Sequence, residues 1–181
     1  MRPRTALAEP EPRPAKTGVW VAIATISMSF AALTSAMVVR ASAAPDWQHF
    51  RLPPILYFNT VVLLASSVTL ESARRRIAAA GVSVTLGLGL LFVAGQIVAW
   101  RQLARQGLFL ATSPSSAFFY VFTALHGLHV LGGLAGLLYV LRRLRRLAGP
   151  APATALGAAT LYWHFMAVLW LYLLIILTLR I

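Results

Sequence analysis

Four ionisable side chains stand inside long apolar stretches of this sequence: Glu71, His126, His129 and His164. Two of them belong to "TALHGLHVLGG", residues 123–133, a run with no formal charge. On a helix the i, i+3 spacing of His126 and His129 puts both on one face, about a turn apart. Imidazoles so placed have three uses. Haem or metal ligation needs neutral rings with open approach, and bis-histidine haem sites draw on two helices, as His129 and His164 would provide. A proton or ion relay within the chain wants carboxylates at the same depth, and none is present there. A hydrogen-bonded network that fixes helix contacts needs only donors and acceptors, each bond contributing about 0.6 kcal/mol and up to 1–2 kcal/mol in favourable cases. The third use fits the residues best. Glu71 precedes Arg74 and Arg75 by three and four residues, the spacing of a salt bridge along one helical face. Its other reading is a carboxylate facing a partner's proton pathway.

The elements that hold these groups follow from composition. Of 181 residues, 59% are hydrophobic and 11% charged, whereas a soluble domain carries roughly a quarter charged residues. A spanning helix needs about 20 apolar residues, because the hydrocarbon core is roughly 30 Å thick and each residue rises about 1.5 Å. Five stretches qualify, near Val19–Val39, Pro54–Ala73, Ile77–Trp100, Ser116–Leu141 and Thr154–Leu179. The expected fold is therefore all-α, a polytopic membrane bundle of five transmembrane helices spanning residues 19–181. Residues 1–18, rich in proline and charge, read as a disordered cytoplasmic tail. No soluble domain remains to carry an extramembrane active site.

The formal charge of +12 encodes topology rather than nucleic-acid binding, because the basic residues cluster at the ends of apolar runs. Assigning alternate connections to one side collects Arg74–Arg76, Arg142, Arg143, Arg145, Arg146 and the N-terminal Lys and Arg residues, 11 of the 16 in all. The positive-inside rule makes that side cytoplasmic, so the N-terminus is in and the C-terminus out. "SARRR" is a tight inside turn that makes helices 2 and 3 antiparallel neighbours, and "RASAAPDWQHFRLPP" is an outside loop with Trp47 and His49 at interfacial depth. The apolar run before "ASAAP" is too long and starts too late for a cleaved signal peptide. With no cysteine, disulfides and thiolate metal sites are excluded.

Depth arguments bring the imidazoles together. His129 and His164 both fall near the midplane, counted from opposite ends of their helices. The three histidines meet if helices 4 and 5 pack closely, for which Gly132 and Gly136 supply a small-xxx-small pair. Hydroxyls on helices 1 and 2, among them Thr25, Ser27, Ser29, Thr34, Thr60, Ser66 and Ser67, read as packing glue, with Asn59 beside them. Gln96 and Trp100 stand i, i+4 at the outer end of helix 3, where Trp anchors at the interface. Trp163 in "LYWHF" lies deeper and is expected to donate its indole N–H to a partner.

"PPILYFNTVVLLASSVTLESARR", "LFVAGQIVAW", "FFYVFTALHGLHVLGGLAGLLYVLRR" and "LYWHFMAVLWLYLLI" resemble, in order, consecutive helices of subunit III of the haem–copper terminal oxidases, in its short five-helix bacterial form. The resemblance runs from about Gly18 onward. It implies a non-catalytic subunit of a cytochrome c oxidase, or of a related quinol oxidase, in a bacterial cytoplasmic membrane. Haem and copper then belong to partner subunits I and II, and this chain binds neither. It would pack on subunit I, hold phospholipid in a cleft, and support proton uptake and complex stability. His126, His129, Trp163 and His164 match motif positions that knit the helices together. Asn59, Thr60, Ser66, Ser67, Glu71, Gln96 and Trp100 match further ones.

Two departures stand out. Thr25 and Ile26 occupy the place of the family's "SE" on its first helix, and Ala167 replaces an aspartate common after "YWHF". Both remove intramembrane carboxylates, which puts a proton-antenna role in doubt and suggests a less typical oxidase or a nitric oxide reductase. The reading from another class is a stand-alone b-type haem protein using His129 and His164. A small transporter ranks third, lacking midplane acids and repeats.

Overall fold

The structure, a computed structural model, describes residues 14–43, 45–146 and 150–181. All its regular elements among these residues are helices: α1 (Pro14–Ala43), α2 (Ile55–Arg76), α3 (Ala79–Arg105), α4 (Pro114–Arg146) and α5 (Pro150–Arg180). Each is long and apolar enough to cross a membrane, so the protein is an all-α polytopic bundle. α4 begins at Pro114 and α2 just after Pro54. Proline presets the helical φ and lacks an N–H that the first turn would leave unpaired. The chain is already helical at Pro14, the first described residue, which falls within the expected tail of residues 1–18. Residues 1–13 of the expected tail lie outside the described residues.

The helices outrun the apolar spans chiefly at their arginine-rich ends. Charge ends the hydropathy signal, but arginine is a good helix former and complements the dipole of a helix C-terminus. Arg74, Arg75 and Arg76 therefore close α2, and the turn to α3 shrinks to Ile77 and Ala78. Ile77 takes a left-handed φ of 50°, which lets its N–H cap the carbonyl of Ala73. So abrupt a reversal presses α3 onto α2. A Cβ on Gly81 would come within 2.6 Å of the Ala73 Cβ.

At the opposite end Ser113 and Ser116 cap α4 reciprocally, each backbone N–H donating to the other's hydroxyl oxygen at 3.1 and 3.2 Å. This is a capping box with serine in the acidic position. The outer loop between α1 and α2 folds over the end of α5. There the Trp47 indole donates to the Arg180 carbonyl at 2.9 Å, and the Phe50 N–H to that of Ile181 at 3.0 Å.

Helices α2, α3, α4 and α5 form a closed ring in that order, with α5 packing back on α2, while α1 lies outside in the groove between α4 and α5. Trp163, Trp170, Phe92, Phe119 and Phe122 fill the ring and are fully buried. Glycines admit the largest of these. A Cβ on Gly89 would meet the Trp163 ring at 2.8 Å, and one on Gly133 would meet it at 3.1 Å. The expected packing pair is thus corrected. A Cβ on Gly136 would meet nothing within 4 Å, and one on Gly132 only the Tyr162 hydroxyl at 4.0 Å. One residue turns a helix by about 100°, so Gly133 faces the indole and its neighbour faces an open cleft.

Candidate functional site

Tryptophan and hydroxyl side chains join the helices by one repeated device. Ser66 on α2 donates to the Leu63 carbonyl at 2.6 Å and accepts the Trp163 indole N–H of α5 at 2.9 Å. Thr60, two turns nearer the outer end, donates to Leu56 at 2.8 Å and accepts from Trp170 at 2.9 Å. Between α3 and α4, Thr123 donates to Phe119 at 2.7 Å and accepts from Trp100 at 3.0 Å. In each case the hydroxyl proton satisfies its own helix, and its lone pair takes an indole from the next. Trp163 therefore donates as its depth suggests. Trp100 is also more than an interfacial anchor. Trp170 escaped the sequence reading, although its spacing of seven residues puts it on the same face of α5 as Trp163.

The imidazoles do not meet. His126 is wholly buried inside the ring, its plane packed between Trp170 at 5.1 Å and the edge of Phe92 at 5.9 Å. Neither of its ring nitrogens has a hydrogen-bond partner among the described protein atoms. His129, half-buried, turns toward α1: Nδ1 lies 2.7 Å from the Leu125 carbonyl, and the ring lies 6.0 Å from that of Phe30. The carbonyl of His129 accepts the Tyr162 hydroxyl of α5 at 3.1 Å. A three-residue step is about 60° short of a full turn. That rotation separates a residue facing the ring interior from one facing the α1 groove, and so the expected single network of His126, His129, Trp163 and His164 divides into separate sites.

His164 occupies the third surrounding, at the seam of α5 with α2. Its Nδ1 pairs closely with the Ser67 hydroxyl, and Nε2 lies 3.6 Å from the Glu71 carboxylate. Arg74 grips Glu71 with two N–H donors at 2.6 and 2.8 Å, and Arg75 adds one at 3.0 Å. Glu71 is thus an acceptor shared by its own helix and by α5. Ser67, Glu71, Arg75 and His164 line an open groove of 510 Å³ that also includes Ser72 and Leu64.

Of the remaining residues, Asn59 and Gln96 are buried in the ring, Asn59 at the α2–α3 contact where its amide nitrogen lies 3.5 Å from the Phe92 carbonyl. Gly132 and Gly136 floor a cleft of 510 Å³ between α1, α4 and α5, closed on one side by Tyr162 and Tyr139. Thr69 meets Thr85 across α2–α3 at 2.9 Å, and the Tyr172 hydroxyl donates to Thr34 of α1 at 2.8 Å. The aromatic donors Tyr162, Trp170 and Tyr172 are what sequence reasoning missed. Their spacing on α5 is readable in the sequence, but the partner each one meets depends on how α5 packs against its neighbours.

Ligation by His129 with His164 has no support in this geometry. The two rings face different neighbours, α1 and α2 respectively, and each already has a polar contact. Among the described residues no group of three or more His, Cys, Asp or Glu side chains is arranged to hold a metal ion. What the arrangement does chemically is satisfy polar atoms between apolar helices, with one carboxylate–imidazole pair near the arginine-rich end.

Comparison with known proteins agrees with the motifs. The sequence model of the family described as "Cytochrome c oxidase subunit III" matches residues 20–179. The chain is similar to the "Probable cytochrome c oxidase subunit 3" of Mycobacterium bovis, 32% identical over 149 residues that cover 74% of this chain and 71% of that one. A "Cytochrome c oxidase subunit 3" of Synechocystis sp. is 32% identical over 172 residues, 88% of this chain and 72% of the relative. The Mycobacterium leprae relative, also a "Probable cytochrome c oxidase subunit 3", is 32% identical over 181 residues, with 90% and 86% covered. The chain belongs to the cytochrome c oxidase subunit III family, whose members are subunits of a membrane oxidoreductase complex.

Proposed function

We propose that this chain is the non-catalytic subunit III of a proton-translocating haem–copper terminal oxidase in a bacterial cytoplasmic membrane. It packs on subunit I, with haem and copper confined to subunits I and II. It binds no redox centre itself and serves to stabilise the complex and support proton uptake. The arginine-rich ends of α2 and α4 lie on the cytoplasmic side, giving N-terminus in and C-terminus out. One observation carries the reading: His126, His129 and His164 occupy three separate surroundings, each read as packing or hydrogen bonding within the bundle. The cleft floored by Gly132 and Gly136 fits the acyl chain of a phospholipid, being lined mostly by glycine, alanine and valine.

The test is a tagged pull-down from native membranes in mild detergent, with a reduced-minus-oxidised spectrum and identification of the accompanying chains. Haem bands arriving with a large catalytic subunit, and lost when this chain is stripped away alone, support the accessory role. Haem retained by the isolated chain would make the histidines ligands and overturn it. A second check is Glu71→Gln in the assembled complex. With Arg74 and Arg75 holding Glu71 near the helix end, oxygen consumption is expected to stay within error of the parent. A marked fall with assembly intact would mean that the carboxylate serves a proton path.

A further inference from the structure

Five buried polar atoms in the ring lack hydrogen-bond partners among the described protein atoms: Oδ1 of Asn59, both amide atoms of Gln96 and both ring nitrogens of His126. They come from three helices but share one level. The Trp100–Thr123 bond fixes the register of α3 against α4, and stepping four residues along each antiparallel helix brings Gln96 opposite Gly127, next to His126. On the other side, Gly95 abuts the Asn59 carboxamide so closely that a Cβ there would strike Oδ1. Phe92 ties the level together, its carbonyl facing the Asn59 amide nitrogen and its ring edge facing His126. That contact also fixes which end of the Asn59 amide is free, since reversing it would set oxygen against oxygen.

Burying each such atom unpaired costs about 1–3 kcal/mol, and five together would approach the whole stability of a domain, about 5–15 kcal/mol. Direct pairing does not cancel the set. Neutral imidazole offers one N–H and one bare nitrogen, and the Gln96 amide offers one acceptor and two N–H donors. In the structure none of the five atoms pairs with another. A small molecule that both donates and accepts links groups that do not reach one another directly.

We propose that Asn59, Gln96 and His126 form an internal hydration site at the middle of the bundle, holding at least one water that bridges α2, α3 and α4. A bridging water is nearly as favourable as a direct bond and makes about three hydrogen bonds in protein interiors. Gln96 and Phe92 also line a 270 Å³ pocket between α3 and α4, which Asn59 and His126 do not line, and a water needs only about 10–15 Å³ of comparable volume. The site gives His126 a purpose that packing alone does not, one of its ring nitrogens bonding the water that holds three helices in register.

The inference does not depend on which complex the chain joins. The experiment is a high-resolution electron cryomicroscopy map of the full chain with the chains that accompany it from native membranes. It is paired with water-edited solid-state NMR of the same preparation labelled with ¹⁵N at histidine and glutamine. The expected result is a solvent-sized peak within hydrogen-bond distance of at least two of the three side chains, with rapid magnetisation transfer from water to the His126 ring nitrogens. His126→Phe should abolish that transfer and weaken transfer to the Gln96 amide. Side chains paired directly with no peak between them would overturn the proposal. So would transfer that is absent at His126 while present at surface histidines, or a peak too large for water.

Discussion

Helix α1 and the ring formed by α2–α5 use the same side chains differently. On α1, Thr25, Ser27 and Ser29 each donate to the carbonyl four residues back, at 2.8–3.0 Å, and are exposed. In the ring, Thr60, Ser66 and Thr123 donate to their own helix in the same way, and each also accepts an indole N–H from a neighbour. A hydroxyl on a membrane helix is thus neutral in itself. What makes it a joint is an aromatic donor at the matching level on the next helix. Among the described residues only Thr34 of α1 has such a donor, the Tyr172 hydroxyl, and α1 accordingly rests in its groove on Ile26, Phe30 and Met37.

Removing an indole from the ring should give the largest effect. Trp163→Ala deletes a fully buried ring, strands the Ser66 acceptor and leaves a cavity, which costs about 3–5 kcal/mol. Thermal unfolding of the purified complex, followed by the fraction of this chain that stays soluble, should show a large drop in midpoint. An unchanged midpoint would mean that the ring is not the stabilising unit. Next comes Gly89→Ala. The added Cβ would press on Leu134 at 2.7 Å and on Trp163 at 2.8 Å. Because Trp163 is held by Ser66, the ring has little freedom to retreat, and overpacking of this kind costs about 1–3 kcal/mol. Gly136→Ala is the control, with open space at its Cβ, and should leave the same midpoint unlowered, alanine being the better helix former.

Thr60→Val tests the joint rather than the packing. It keeps the shape and removes the acceptor of Trp170, so the loss is one interhelical bond, about 0.6 kcal/mol and at most 1–2 kcal/mol. A double-mutant cycle of Thr60→Val with Trp170→Phe should show coupling, whereas Ser27→Ala with Trp170→Phe should be additive. Coupling of equal size in both pairs would erase the distinction between ring and α1.

The five spans were legible because hydropathy and charge depend on local sequence, and the ends of α2, α3 and α4 carry arginines. The salt bridge of Glu71 was legible for the same reason, its partners being three and four residues away. The divergence of His126 from His129 was not. It depends on where α1 lies, and nothing in "HGLHVLGG" states that a helix 90 residues earlier would occupy the groove beside His129. Gly132 and Gly136 misled for a related reason. The small-xxx-small pattern marks a face that permits close approach, but Trp163 reaches the neighbouring face, where Gly133 makes room. Trp170 pairing with Thr60 requires the register of α2 against α5, a tertiary quantity with no local signal.

The smallest expected effect is the most pointed test of the comparison. Ser27→Ala removes a hydroxyl whose only bond is to the Ile23 carbonyl of its own helix, on a surface turned away from the ring. That carbonyl keeps its i→i+4 backbone partner, so nothing is stranded, and alanine is the better helix former. The unfolding midpoint of the chain should therefore stay within the scatter of neutral surface substitutions, about 0.5 kcal/mol either way. If instead Ser27→Ala loosened the chain from its complex while leaving its own midpoint unchanged, the α1 surface would be bonded to another subunit, and its hydroxyls would be joints after all, waiting for donors that lie outside this chain.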